Sequence, residues 1–424
     1  MDMAVYPTYD RYRDSGVKWI GEVPEGWNVK RLKHLVRQVS DKVSSKESPL
    51  RYIGMENVES WSGHLIDGNA EVEGLAAKFA PNDVIFGKLR PYLAKTTKLH
   101  FTGICSTEFI VFRARGGIEP DFLAYLLRSP DFVSYIDSST YGSKMPRANP
   151  NFIANCSIVA PSFPEQRAIA AFLDDKCAKI DEAVRIKEAQ IVLLRERRQI
   201  LIQQAVTRGL NPDAPMKDSG IDWIGQIPAH WEVLPLKRLF RERNDRSTTG
   251  TETLLSLRMN EGLVPHDDVS DKAIDADALK DYKQVFPRQL VMNRMRASIG
   301  IFGVVTASGI VSPDYAIFDI APRANADFFL QLFKTGVMGQ QFRNASRGLG
   351  TGSSGFMRLY TDNFGAISVA LPPAAEQSEI VFHINDLLEN IGDAVRLKEE
   401  QIIMLKEYKT CLINAAVTGK IKVT

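Results

Sequence analysis

DSGVKWIGEVPEGWNVKRLKHL, from Asp14 to Leu35, is answered further along by DSGIDWIGQIPAHWEVLPLKRLF, from Asp218 to Phe240. Trp19, Ile20, Gly21, Pro24, Trp27, Leu32 and Lys33 return as Trp223, Ile224, Gly225, Pro228, Trp231, Leu236 and Lys237, all displaced by 204 positions. Two tryptophans, a glycine and a proline in one register mark an internal duplication. Outward from this element the match weakens. At a displacement of 206, Lys88-Leu89-Arg90 corresponds to Arg294-Met295-Arg296, Ser106-Thr-Glu-Phe109 to Ser312-Pro-Asp-Tyr315, and Asp121-Phe122 to Asp327-Phe328. Past a glycine-rich stretch the displacement is 211, where Glu165-Gln166 corresponds to Glu376-Gln377. It holds through AVRIKEAQI (from Ala183) and AVRLKEEQI (from Ala394) to AVT at Ala205 and Ala416. Similar ends around dissimilar middles predict one shared frame carrying two diverged inserts.

The matched C-terminal stretches carry a coiled-coil period. Leu173, Cys177, Ile180, Val184, Lys187, Ile191, Leu194, Arg198, Leu201 and Ala205 alternate spacings of four and three, as do Ile384, Leu388, Ile391, Val395, Lys398, Ile402, Leu405, Lys409, Leu412 and Ala416. Gly209 and Gly419 stop the two helices. Each helix is expected to run about 50 Å. A narrow apolar stripe needs a partner, and each copy can serve the other. A parallel pair would set Lys187 against Lys398 and Arg198 against Lys409, so charge predicts an antiparallel pair. The expected object is a rod holding two related domains apart.

The inserts, from Trp27 to Pro161 and from Trp231 to Pro372, read as mixed α+β. DVIFGKL, STEFIVFRA, QLVMNRM and PDYAIFDI predict strands, while FLAYLLRSPDFVSYI and FFLQLFKTGVMGQQF predict one helix in each insert. Both close with a basic loop rich in glycine or serine, YGSKMPR (Tyr141–Arg147) and SRGLGTGSSGFMR (Ser346–Arg358), in which Arg147 and Arg358 correspond. Lys144 and Arg147 in the first loop, and Arg347, Ser353, Ser354 and Arg358 in the second, are candidate donors to DNA phosphates. Lys88 with Arg90, and Arg294 with Arg296, are expected to present two cations on one strand face, with Tyr92, Lys95 and Ser298 nearby. The glycine cluster lacks the Gly-Lys-Ser/Thr end of a nucleotide P-loop. The Glu and Gln of each exit suit the first turn of the helix that follows.

Composition excludes several classes. The 424 residues are 44% apolar and 25% charged, with 53 Lys and Arg against 51 Asp and Glu. This is an ordinary globular balance, and the length predicts at least two domains. No apolar run approaches the roughly 20 residues of a membrane-spanning helix. Four cysteines without C-x-x-C spacing argue against structural zinc and fit a reduced, intracellular protein. Catalytic signatures are also missing. There is no H-E-x-x-H or G-x-S-x-G, and the six histidines are scattered. The strings nearest to the base-gripping tetrapeptide of an amino-methyltransferase, NPNF at Asn149 and SPDY at Ser312, do not fit it. Asp83, Asp314 and Asp319 form no clear nuclease arrangement.

Two diverged inserts, each opened by W-I-G-x-x-P-x-x-W and closed by P-x-x-x-E-Q with a long helix ending A-V-T, resemble the specificity subunit of type I restriction–modification systems. The resemblance spans nearly the whole chain. It implies two globular α/β target recognition domains separated by two long antiparallel coiled-coil helices, related by a pseudo-twofold repeat. The domains would be 1–170 with the N-terminal repeat element, a first spacer helix at 171–210, a second recognition domain at 211–375, and a second spacer helix with tail at 376–424. It further implies a non-catalytic chain in the cytoplasm that reads a bipartite, asymmetric site on double-stranded DNA. Its partners would be two modification subunits, which methylate adenine, and two restriction subunits. S-adenosylmethionine, ATP and Mg would then be bound by those partners, with no cofactor or metal in this chain. Two other readings are a self-contained methyltransferase or nuclease, which the missing motifs disfavour, and a coiled-coil scaffold that never touches DNA.

Overall fold

A computed structural model of the chain describes residues 6–46, 48–68, 74–271, 274–349 and 356–423. The duplicated sequence becomes two compact units. Unit 1 comprises Met1–Ala189 with Lys398–Thr424, and unit 2 comprises Gln190–Leu397, so each takes a part of both long helices.

Unit 2 is continuous in the chain. A short hairpin (Met216–Asp218 with Gln226–Pro228) carries the W-I-G element. Strand Glu232–Pro235 then pairs antiparallel with Ser368–Leu371, tying the start of the insert to its end. Between them lies a four-stranded antiparallel sheet in the order Phe240–Arg243, Tyr315–Ile320, Leu290–Asn293, Phe302–Val304. Unit 1 repeats each part: the hairpin Tyr12–Asp14 with Glu22–Pro24, the closing pair Asn28–Arg31 with Ser157–Ala160, and the sheet Val36–Val39, Phe109–Ala114, Val84–Gly87, Thr96–Lys98. The inserts diverge in what else they carry. Unit 1 has a second four-stranded sheet with one parallel edge (Tyr52–Ile53 on Gly103–Ser106), where unit 2 has two separate strand pairs.

The single helical stretch expected in each insert is broken into two helices, and both breaks have a local cause. Pro130 occupies the first turn of Pro130–Asp137 and forces Ser129 into an extended conformation (φ −67°, ψ 144°), which ends Pro120–Leu127. Unit 2 has no proline there. Thr335 is extended instead (φ −71°, ψ 150°), and its hydroxyl accepts the Met338 N–H, starting Gly336–Ala345 after Ala326–Phe333.

The long helices span Phe163–Arg208 and Ala374–Val417, starting about ten residues before the periodic stripe. Leu173, Cys177, Ile180, Val184 and Ile191 are buried along the first, and Ile384, Ile391, Ile402, Leu412 and Ala416 along the second. In unit 1 the two segments run antiparallel, as charge predicted. Asp181 pairs with Lys409 at 2.7 Å, whereas Lys187, further along, donates to Gln401 at 2.7 Å. The two stripe cations Lys187 and Lys409 thus find polar partners on the facing helix, which offsets their cost in an apolar seam. In unit 2, Ile202, Ala205 and Val206 near the end of the first helix share a core with Ile380 and Ile384 near the start of the second.

Trp27 and Trp231 anchor the two cores. Gly419 (φ +76°) and Gly209 (φ +75°) cap the helices beside them. A Cβ on Gly419 would lie 2.5 Å from Pro24 and 3.1 Å from Trp27, and one on Gly209 would lie 3.3 Å from Trp231. Glycine is therefore needed for space as well as for its left-handed backbone. Burial also sets thiol chemistry. It pushes Cys105 and Cys156 up to about 12 and raises Cys177, while Cys411 is exposed. Titration of the native chain with a chromogenic disulfide at neutral pH is expected to release one equivalent, rising to four in denaturant. Two or more equivalents from the native chain would contradict this burial.

Candidate nucleic-acid interface

The repeated basic residues lie just beyond the strands on which they were expected. Val84–Gly87 ends before Lys88, and Arg90 takes a left-handed conformation (φ 49°, ψ 62°) at the start of the 3-10 turn Pro91–Leu93. Leu290–Asn293 likewise ends before Arg294. The Asn293 side chain accepts the N–H groups of Met295 (3.1 Å) and Arg296 (3.2 Å), making a turn. The alternate-residue argument for two cations on one strand face therefore fails in both units. Turn chemistry presents these residues instead.

Tertiary structure brings the basic turn and the basic loop of each insert together. In unit 1, Tyr141 and Arg147 exchange backbone hydrogen bonds (3.1 and 3.0 Å), closing the loop into a narrow ribbon. That ribbon lies along residues 88–90: Arg90 N–H donates to the Pro146 carbonyl at 2.7 Å, and Ala148 N–H to that of Lys88 at 2.9 Å. In unit 2, Arg347–Leu349 pairs antiparallel with Phe356–Arg358, and Leu359 N–H donates to the Arg294 carbonyl at 2.9 Å. Ser353 and Ser354 lie outside the described residues.

The candidate cations then fall into two groups. Four are engaged within the fold. Lys95 donates to the carbonyls of Met55 (2.6 Å) and Val58 (2.8 Å), and burial lowers its pKa. Arg147 forks onto Glu108 (3.1 and 3.2 Å), and that hydrogen bonding raises its pKa. Arg358 pairs with Asp314 at 3.2 Å. Arg294 pairs with Glu242, which also accepts from Thr361. Lys88, Arg90, Lys144, Arg296 and Arg347 pair with no carboxylate among the described residues, and all but Lys88 are exposed. Around them stand exposed apolar side chains: Tyr92, Tyr141 and Met145 in unit 1, and Met295, Ile299 and Met357 in unit 2. Ser298 is half-buried beside Arg296.

The comparisons with known proteins bear on the fold and the repeat. No protein-family model matches the chain. The type I restriction enzyme MjaVIII specificity subunit of Methanocaldococcus jannaschii is 23% identical, covering 95% of this chain and 94% of that one. The putative MjaX specificity subunit of the same organism is 22% identical, covering 95% and 96%. The EcoDI specificity subunit of Escherichia coli is 26% identical over a shorter match, 39% of this chain and 38% of that one. The HsdS subunit from Thermoanaerobacter tengcongensis superposes with a TM-score of 0.58 at 19% identity, covering 94% of this chain and 98% of that one. A chain from a type I restriction–modification system, solved to explain complex assembly and conformational transition, gives 0.70 at 18% identity, covering 93% and 98%.

The chain is a homologue of type I specificity subunits.

In this specificity-subunit homologue the shared frame is held by the motifs that revealed the repeat. Gln166 accepts the Glu119 N–H (2.8 Å) and donates to the Gly117 and Pro161 carbonyls (3.0 and 2.9 Å). Gln377 does the same with Asn325 N–H (2.7 Å) and the Arg323 and Pro372 carbonyls (3.0 and 2.9 Å). The neighbouring glutamates accept the indole N–H of the second tryptophan of W-I-G-x-x-P-x-x-W, Trp27 to Glu165 at 3.1 Å and Trp231 to Glu376 at 3.0 Å. These contacts go beyond the first-turn role expected for them. The carboxylates Asp83, Asp314 and Asp319 are spread over both units and spent on structural partners. Asp83 takes Arg113 bidentately (2.7 and 2.6 Å), and Asp319 accepts from Gln289 (2.8 Å). Among the described residues, no three His, Cys, Asp or Glu side chains gather as a metal site, and no helix is long and apolar enough to cross a membrane. Sequence reasoning missed the exposed apolar rim. Its signal was present as Tyr141 and Met145 inside a glycine- and serine-bearing loop.

Proposed function

We propose that this chain is the sequence-reading subunit of a type I restriction–modification enzyme, with each insert reading one half of a bipartite, asymmetric site on double-stranded DNA. One observation carries the proposal. Two inserts of different sequence, set on one repeated frame, each present a turn and a loop whose exposed cations have no carboxylate partner among the described residues. Arg90 and Lys144 do so in unit 1, and Arg296 and Arg347 in unit 2. Such cations suit phosphates, which position a protein without specifying sequence. The polar and apolar side chains around them suit base edges, thymine methyl groups included. Unlike side chains on the two loops account for an asymmetric target.

The long helices, 46 and 44 residues, suit two further roles proposed from the resemblance: spanning the unread spacer and docking two modification subunits. At 1.5 Å per residue each is roughly 65–70 Å long, against the ~35 Å of one duplex turn. The chain itself would hold no catalytic centre. S-adenosylmethionine, ATP and magnesium would be bound by the modification and restriction partners, and the complex would work in the cytoplasm.

Arg90→Ala and Arg296→Ala are each expected to weaken binding to duplex DNA at fixed salt and to lower the slope of log affinity against log salt by about one. Lys187→Leu, in the helix seam, is expected to leave sequence preference intact. Equal affinity of all three variants and the parent would overturn this assignment of roles, and a parent that binds no duplex would favour the scaffold reading. Methyl transfer by the purified chain alone would favour a self-contained enzyme. Mapping methylated adenines in the host genome would give the target and spacer directly.

A further inference from the structure

We infer that Arg147 and Arg358 are positioning residues: paired with Glu108 and Asp314, they aim the loop of each insert, and neither grips DNA. This rests on the DNA-reading function proposed above. The two pairs join positions that correspond at different displacements, 206 for the carboxylates and 211 for the arginines. Insertions between them have changed each loop without breaking the pair. The local geometry is also repeated. Glu108 N–H donates to Ser106 Oγ at 3.2 Å, and Asp314 N–H to Ser312 Oγ at 3.4 Å, so a serine fixes each carboxylate in its turn. One residue past each arginine, the backbone bonds of Ala148 to Lys88 and of Leu359 to Arg294, both 2.9 Å, fasten the same loop a second time.

Partly exposed ion pairs add little to stability, so stability alone does not account for a pair kept in two diverged inserts. A guanidinium already forked onto a carboxylate also offers little net charge to an approaching phosphate. Its orientation is what the fold uses. With the base of the loop held at the carboxylate turn, Lys144 and Met145 stand exposed at the unit 1 tip, and Tyr141 stands exposed opposite Arg147. In unit 2 the base of the ribbon is held by a single contact of Arg358 with Asp314, at 3.2 Å.

The two roles give opposite signs for one substitution. If Arg147 gripped a phosphate, Glu108→Gln would remove a competing anion and raise affinity. If the pair aims the loop, Glu108→Gln and Arg147→Gln both weaken binding. The test is selection by the full chain from a duplex library with a randomised stretch, followed by affinity for the selected duplex at fixed salt. Each single variant is expected to lose about tenfold, the scale of one mismatched base pair, and to blur one half of the selected motif. The exchanged pair Arg147→Glu with Glu108→Arg is expected to restore both, which a change in fold stability alone would not produce. Asp314→Asn and Arg358→Gln are expected to blur the opposite half, which keeps the test open should a unit 1 variant fail to fold. Higher affinity in Glu108→Gln, an unchanged motif, or failure of the exchanged pair to rescue would overturn the inference. If the parent chain enriches no motif at all, the DNA-reading proposal itself falls.

Discussion

Replacing Trp231 by alanine is expected to destabilise unit 2 by about 4 kcal/mol, the usual cost of emptying a fully buried aromatic site. The side chain is completely buried, it packs beside the helix-capping Gly209, and its N–H reaches Glu376 at 3.0 Å. Glu376 would keep its contact with His230, at 2.7 Å. Trp231→Phe retains most of the apolar contact and forfeits one hydrogen bond, an expected loss of about 1 kcal/mol. Urea unfolding followed by circular dichroism separates the two. Comparable losses for alanine and phenylalanine would show that the indole N–H, and not the packing of its rings, secures the joint. Trp27 occupies the matching place in unit 1. There Tyr9, donating to Glu165 at 2.6 Å, replaces the histidine.

Gln377→Met carries the next largest expectation, about 3 kcal/mol. Methionine fills nearly the same volume, so little cavity forms. The loss comes from leaving the Asn325 N–H and the Arg323 and Pro372 carbonyls without their partner in a buried setting, where an unsatisfied group costs about 1–3 kcal/mol. Gln166→Met should cost unit 1 a similar amount, because the same three kinds of contact recur there at nearly the same lengths. A glutamate at either place keeps the acceptor but loses the donor and buries a charge, and should be worse than methionine. A methionine variant that unfolds at the parental urea concentration would mean that water or backbone movement satisfies the freed groups.

Both predictions concern the frame, and the frame was legible because its signals are local and doubled. The coiled-coil spacing exposes a helix stripe without knowledge of any partner, and the like charges at Lys187, Lys398, Arg198 and Lys409 already excluded a parallel match. The structure agrees in unit 1, where Lys409 meets Asp181 and Lys187 meets Gln401. The helix break at Thr335 was not legible. Extended backbone at a threonine depends on its hydroxyl finding the Met338 N–H, and no proline announces it. The strand placement of Lys88 and Arg296 failed for a related reason. Where a strand stops depends on the partner strand beside it, and Asn293 turns the chain one residue earlier than alternation would.

The repeat, its two unlike inserts and the direction of the helix pair could all be read from residue order, because periodicity and self-similarity are properties of the chain as a string. Which arginines remain available to a ligand could not. Arg90 and Arg147 look alike in sequence, yet Arg147 is bound by a carboxylate 39 positions away and Arg90 by none among the described residues. Charge compensation depends on distance through space, and distances of about 3 Å between remote residues exist only once the chain has folded.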